Sequence, residues 1–493
     1  MTDQYCITKS RVKAFLQCPK RAYLQQHNPG CAATDTSPAA LTGHAVGTYV
    51  KSLYTNGVEV KHCNQYSPDE ITAQLIDNQT DDIFEASFTH NNVNVRIDVL
   101  SNNGNGYTIN EVKAKTSVTD DVIIDAAIQY YVATQSGANV TCVNAITINK
   151  DFVYNGNDYH GLMQEQDITE RCLMLQNYIA QVCQSTHSCI NGAEPCQHTS
   201  SHCNKPVACE FKEHCKAQNN IEFPVSSLPN GHKLAAKLYS ENITDIRQIP
   251  TGIKLAKFHE RVTTTVQSGK PYVDIYTLGE VNNMVFPITY LDFETVQFAI
   301  PAFIGTKPYQ QIPFQLSAHT EYSNGEVEHA EYLDLTGDDP RRNFAEQLIK
   351  VCGKTGSIAV YNKSFEKMII TQLASDFDDL KAPLMAIADR LFDLLPVMKN
   401  GYYHQDMHGS WSIKSVLPVV APHLSYASVG MVQDGAQASL GYITATTTHD
   451  PLMVSDIRRA LLAYCKLDTR AMIEIAYWCR RKVDRHRELQ QCA

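Results

Sequence analysis

The sequence predicts an α/β protein with two larger domains joined by a small helical connector. Three observations carry this. The 493 residues leave room for two to three domains at about 150 residues each. Around residue 100, alternating strand-like segments, a tight turn and a helix follow one another. From residue 285 an apolar strand opens a second such pattern, after a breaker-rich junction.

Taken in order, the N-terminal domain spans residues 1–222. It opens with a basic amphipathic helix over residues 10–17 that runs into Cys18-Pro19-Lys20-Arg21. Strands are expected at residues 93–100 and 107–113, with Asn102-Asn103-Gly104-Asn105-Gly106 as the hairpin turn between them. A helix carrying Gln129-Tyr130-Tyr131 follows. The connector spans residues 223–283 and holds two short helices. The C-terminal domain, residues 284–493, begins with a buried strand ending in Asp292-Phe293-Glu294.

Composition narrows the partners. Hydrophobic residues make up 43% and charged residues 19%, an ordinary globular balance. With 42 basic against 52 acidic residues, the formal net charge is −10. Coating of nucleic acid or anionic membrane through global charge is therefore excluded, and a polyanion must be gripped locally or through metal ions. No apolar run approaches the roughly 18 residues of a membrane span. The first residues lack the basic segment and apolar core of a secretory signal, so a cytoplasmic location is expected. The 16 cysteines are then expected to be reduced, and a cluster of them suggests metal rather than disulfides.

Asp98 lies on one strand, and Glu111 and Lys113 lie on one face of its neighbour, because strand side chains alternate. Adjacent carboxylates repel unless a cation lies between them, and Mg²⁺ or Mn²⁺ suits oxygen ligands. Lys113 would position an attacking water or neutralise charge on phosphorus. The alternative is a charged strand face whose Glu and Lys pair with neighbours. Asp98, a hairpin, Glu111-Val112-Lys113 and a helix with Gln129 together resemble the PD-(D/E)xK nucleases of the RecB-like branch, which have a restriction-endonuclease-like fold. The resemblance covers most of residues 8–220. It implies His44 as a further metal ligand, and Gln129 with a following tyrosine, Tyr131, as the helix motif.

Cys203, Cys209 and Cys215 are separated by equal gaps of five residues, unlike the paired knuckles of most structural zinc sites. Cys18 stands at the other end of the domain. One early cysteine plus a late triplet is similar to the iron–sulfur nucleases of the same branch. That likeness implies a 4Fe–4S cluster on Cys18, Cys203, Cys209 and Cys215, stapling the domain's ends together. Zinc on the same four thiolates, or plain buried thiols, stay open, and Cys189, Cys196 or His202 could replace one ligand.

In the C-terminal domain, Asp292 and Glu294 end a strand, Glu366 follows the apolar strand at residues 357–360, and Tyr464 and Asp468 lie one helical turn apart. Four acids from separate elements make a two-metal cage. Their order resembles the DEDDy branch of the DnaQ-like exonucleases, in the ribonuclease H-like fold, with Glu366 where most members have Asp. Residues 299–303, 308–315 and 409–418 narrow the likeness to an uncharacterised bacterial family joining such a domain to an iron–sulfur RecB-like nuclease; glutamate in the second motif is usual there. This likeness covers roughly residues 285–475. Tyr464 would orient water, and Lys414 and His404 would contact phosphate or cap local structure.

The expected function is a metal-dependent, exonucleolytic nuclease with two active sites, acting on DNA ahead of RNA in DNA repair or defence against foreign DNA. Lys9 to Lys20-Arg21 and Arg458-Arg459 are expected to guide a strand. A nucleic-acid-binding scaffold with inactive sites, or a cluster-based redox sensor, are the alternatives.

Overall fold

A computed structural model describes residues 6–33, 38–61, 65–428 and 430–491. Cys63 and Cys492 lie outside them. The chain is α/β and divides into two units.

Strand alternation builds the first unit. β1 (Asp82–His90), β2 (Val93–Asn102) and β3 (Tyr107–Val112) form an antiparallel meander. In β2, Val93, Val95, Ile97 and Val99 are buried, while Asn94, Arg96 and Asp98 take the other face. Helix α1 (Lys9–Gln17) precedes α2 (Pro19–His27) and α3 (Ala39–Lys51). After β3, helix α4 (Asp120–Gln135) buries Val122, Ala126 and Val132 against the sheet and leads to β4 (Val140–Ile148). β4 lies parallel to β3, and β5 (Met163–Asp167) pairs antiparallel at the edge. Val58–Glu59 and Ile7–Thr8 complete seven strands. Helices α5 (Gln176–Ile190) and α6 (Lys212–Asn219) follow.

This unit also contains Phe298–Gln310, a stretch that chain order alone places inside the C-terminal domain. Ala299 is buried among Val46, Phe84 and Ile148, and Tyr309 donates its hydroxyl hydrogen to the Ala114 carbonyl at 2.6 Å. Its aromatic and apolar residues pack locally, a tertiary choice that leaves no periodic signal.

The second unit comprises Ile221–Gln297 and the chain from Gln311 onward. Its strands are β6 (Ile288–Gln297), β7 (Gln311–Glu321), β8 (Val327–Leu333), β9 (Ile358–Val360) and β10 (Leu391–Asp393). They lie in the order β8-β7-β6-β9-β10. β6 and β8 run antiparallel to β7, and β9 runs parallel to both β6 and β10. β6 is central and almost continuously buried, as a strand covered on both faces should be. Helices α7 (Lys257–Ser268), α8 (Arg341–Cys352), α9 (Lys363–Asp376), α10 (Ile413–Val420), α11 (Gly435–Thr447) and α12 (Pro451–Gln491) surround it.

Residues 223–283 do not stand apart as a connector. Val225, Leu238, Val262 and Leu278 share one core with Ile288, Tyr290, Leu394 and Ile473. A stretch of about 60 residues buries a smaller share of its own surface than a large domain, and here its apolar side chains are covered by the rest of the unit. Among the described residues, no helix is long and apolar enough to cross a membrane.

Candidate functional site

Alternation along β6 turns Asp292 and Glu294 to one side of the sheet. β9 feeds α9 through Asn362, whose φ of 112° lies in the left-handed region; the Asn362 and Lys363 amides donate to Asp393 at 3.2 and 3.0 Å. That turn sets Glu366 in the first turn of α9. Helix α12 contributes Tyr464, Cys465 and Asp468. Glu294, Glu366 and Asp468 are only 7%, 4% and 6% exposed, and Asp292 is half-buried.

The four carboxyls feel one another. Burial pushes Asp292 well above the usual carboxylate range, and Asp468, Glu294 and Glu366 push it further. Glu294 is raised to about 8 by burial and by Asp468, with Lys414 pulling it back. Glu366 is raised to about 8 chiefly by burial, with Asp393 adding to it. Asp468 reaches about 6 through burial, held there by hydrogen bonds from Tyr426 and Tyr464 and by Lys414. Among the described residues none of the four acids is in an ion pair, and Glu366 Oε2 is buried without a hydrogen-bond partner.

Lys414 donates to the Gln433 carbonyl at 2.5 Å, and its ammonium lies 5.0 Å from the Tyr464 ring centre and 5.5 Å from that of Tyr426. His404 stays out of the site. Its Nδ1 accepts the Asp406 amide hydrogen at 3.3 Å and caps the turn at Gln405–Met407. Two participants escape the sequence reading. The Tyr426 hydroxyl donates to Asp468, and Cys465 Sγ lies 3.6 Å from Asp292 Oδ2. An array of buried carboxyls with so little positive charge beside it is chemically suited to divalent cations.

The first unit holds a different balance. Asp98 accepts the Val112 amide hydrogen at 2.8 Å and is raised to about 7 by burial and by Glu111, against the pull of Lys9 and Lys113. The fully buried Glu111 accepts from Lys113 and Gln129, and from Lys9 at 3.4 Å. Asp125, also fully buried, meets Lys13 and Lys113 at 2.7 Å each and Lys9 at 3.1 Å. Burial alone would raise Asp125, but Lys9, Lys113 and Lys13 together hold it well below the usual range. Three acids thus face three lysines.

Asp98, Glu111, Lys113 and Gln129 come together; His44 and Tyr131 do not join them. His44 is exposed on α3, whose buried positions are Val46 and Val50, and no trio containing it gathers within 4.8 Å among the described residues. Tyr131 packs edge-on against His90, at 5.9 Å between ring centres. Positions i and i+2 of a helix face different ways, so it cannot share Gln129's partner. The basic stretch is corrected in part as well. Lys9 and Lys13 turn inward, while Lys20 pairs with Glu194 and Arg21 with Glu210, each at 2.8 Å. Arg458 and Arg459 are exposed on α12. Lys9 and Lys13 are one helical turn apart, and Asp125 interrupts an apolar run. Those were the signals that could have revealed this network.

Cys18, Cys203, Cys209 and Cys215 line one narrow cavity together with Lys20, His202 and Phe211. All four are free thiols. Burial raises Cys18, Cys209 and Cys215, and Cys203 is close enough to each to raise it further. Among the described residues no three of these sulfurs lie within 4.8 Å of one another. Cys189 lies beside the Pro19 carbonyl at 3.5 Å, and Cys196 is exposed.

Comparison with known proteins gives a partial likeness. A family profile described as a domain of unknown function, DUF2779, matches residues 289–412, which include Asp292, Glu294 and Glu366. An uncharacterised protein of Mycoplasma pneumoniae, the MG366 homolog, is 26% identical over 205 residues, covering 38% of this chain and 31% of its own length. Uncharacterised protein UU173 of Ureaplasma parvum is 24% identical over 221 residues, covering 40% of this chain and 31% of its own. The chain thus spans 31% of the length of each of these curated relatives. No solved structure matches.

Proposed function

We propose that the protein is a metal-dependent nuclease that hydrolyses phosphodiester bonds of DNA, with RNA as a second substrate, and that the carboxylate cage of the second unit is its principal active site. One observation carries this: Asp292, Glu294, Glu366 and Asp468 converge, nearly all buried, without an ion pair and with a bare Glu366 Oε2. Like charges are not kept together in a low-dielectric site without a counter-ion. These residues would hold two Mg²⁺ or Mn²⁺ ions, which supply Lewis acidity and positive charge to the scissile phosphate. The Tyr464 hydroxyl, hydrogen-bonded to Asp468, orients the attacking water. The strand order, with β6 central and two parallel strands beside it, supports a ribonuclease H-like fold for this unit.

The meander, crossover helix and parallel fourth strand of the first unit support a PD-(D/E)xK fold there. Asp98 and Glu111 would hold a single ion and Lys113 would assist water, with Gln129 fixing Glu111. A second reading has its own support. Because Lys9, Lys13 and Lys113 already pair with Glu111 and Asp125, this unit serves as a nucleic-acid-binding module whose hydrolytic site is silent.

For the cysteines we propose a 4Fe–4S cluster rather than zinc. The equal gaps of five residues between Cys203, Cys209 and Cys215, unlike the paired knuckles of most structural zinc sites, and their convergence with Cys18 on one cavity support the cluster.

The test is cleavage of end-labelled single- and double-stranded DNA and RNA with Mn²⁺ by wild type, Lys113→Ala and Asp292→Ala. Loss in Asp292→Ala alone assigns hydrolysis to the second unit. Loss in Lys113→Ala alone assigns it to the first.

A further inference from the structure

The cage contains a donor of another kind. Cys465 is fully buried in α12, and its sulfur lies 3.6 Å from Asp292 Oδ2 and 3.8 Å from the Asp292 carbonyl oxygen. Sulfur and one oxygen each from Asp292 and Glu294 all fall within 4.8 Å of one another, a spacing that one ion can bridge. Independently, Glu366 is 4% exposed and its Oε2 has no protein partner, although its carboxylate is near enough to Asp292 to act on it electrostatically. The site is therefore a mixed set of hard oxygens and one soft sulfur.

We propose that Cys465 is a ligand to the ion held by Asp292 and Glu294, and that it biases this position toward thiophilic divalent cations such as Co²⁺ and Zn²⁺ over Mg²⁺. The inference rests on the reading of these acids as metal ligands and adds which ion they select. Thiolate sulfur favours zinc and cobalt, whereas carboxylate and water alone suit magnesium and manganese. Coordination converts the thiol to a thiolate, so metal binding releases one proton to the buffer.

Co²⁺ is the probe, because sulfur-to-cobalt charge transfer absorbs where carboxylate ligation does not. The full-length protein is titrated with Co²⁺ as wild type, Cys465→Ser, Cys465→Ala and Asp292→Ala. The other thiols are common to all four, so the difference spectrum isolates Cys465. The expected result is a charge-transfer band in the difference spectrum of wild type minus each Cys465 variant, with Co²⁺ affinity of the carboxylate site falling at least about tenfold and Mg²⁺ affinity within about twofold. A large excess of Mg²⁺ should remove from the wild-type spectrum only the component that the Cys465 variants lack, because magnesium competes for the carboxylates and not for the thiols of the other cavity. Co²⁺ binding that is lost in Asp292→Ala but shows no difference band for Cys465 overturns the proposal and leaves the carboxylate site standing. Co²⁺ binding unaffected by Asp292→Ala overturns both.

Discussion

Glu366→Gln should stabilise the metal-free protein while abolishing its hydrolytic activity. The Glu366 carboxyl is 4% exposed and is raised from 4.5 to about 8, chiefly by burial. An acid whose folded pKa lies above its unfolded value contributes stability that is fully present below the unfolded value. That stability is lost as pH rises toward and through the folded value. At about 1.4 kcal/mol per tenfold in proton affinity, holding this group in the fold at pH 7 costs on the order of 3 kcal/mol relative to low pH. Glutamine keeps the shape and removes the charge. In chelator at pH 7 the variant should therefore melt roughly 6–12 °C above wild type, and the gap should shrink to a few degrees or less near pH 5. With Mn²⁺, wild type should gain more than the variant, because it has the ligand and the variant does not. Thermal unfolding by circular dichroism at both pH values, with and without Mn²⁺, reads all four conditions. A variant less stable than wild type in chelator at pH 7, or a gap independent of pH, would refute the idea that Glu366 is a buried carboxyl held for a cation.

Other consequences follow from the same geometry. Tyr464→Phe removes a hydroxyl bonded to Asp468 but no proposed metal ligand. Cleavage should slow by about 100-fold while Mn²⁺ affinity measured by calorimetry stays within about twofold. Lys9→Ala strips one cation from the fully buried Asp125 and Glu111 and should destabilise the first unit by about 3 kcal/mol in urea unfolding. Protein purified without oxygen should be brown and carry about four irons per chain, and Cys203→Ser should be colourless. A colourless wild type with stoichiometric zinc would reject the cluster.

Much of both candidate sites was legible because local rules dictate it. Alternation places Glu111 and Lys113 together and Asp292 and Glu294 together. The helical turn pairs Tyr464 with Asp468. What escaped depends on distant partners. Lys9 reaches Glu111 across a separation of 102 residues, and Tyr426 reaches Asp468 across 42. Cys465 looked like one more core thiol, because nothing local reveals that α12 packs it against Asp292. His44 and Tyr131 differ for the opposite reason: a motif position was carried over, while His44 is exposed on α3 and Tyr131 packs against His90. The domain boundaries slipped where packing overrules chain order, at Phe298–Gln310 and in residues 223–283.

The most direct measurement is release of labelled nucleotide from end-labelled DNA in Mn²⁺ by the double variant Lys113→Ala with Asp292→Ala, purified beside wild type. Buried carboxylates acting through bound cations predict cleavage by wild type and none by the double variant. Undiminished cleavage by the double variant would contradict both sites.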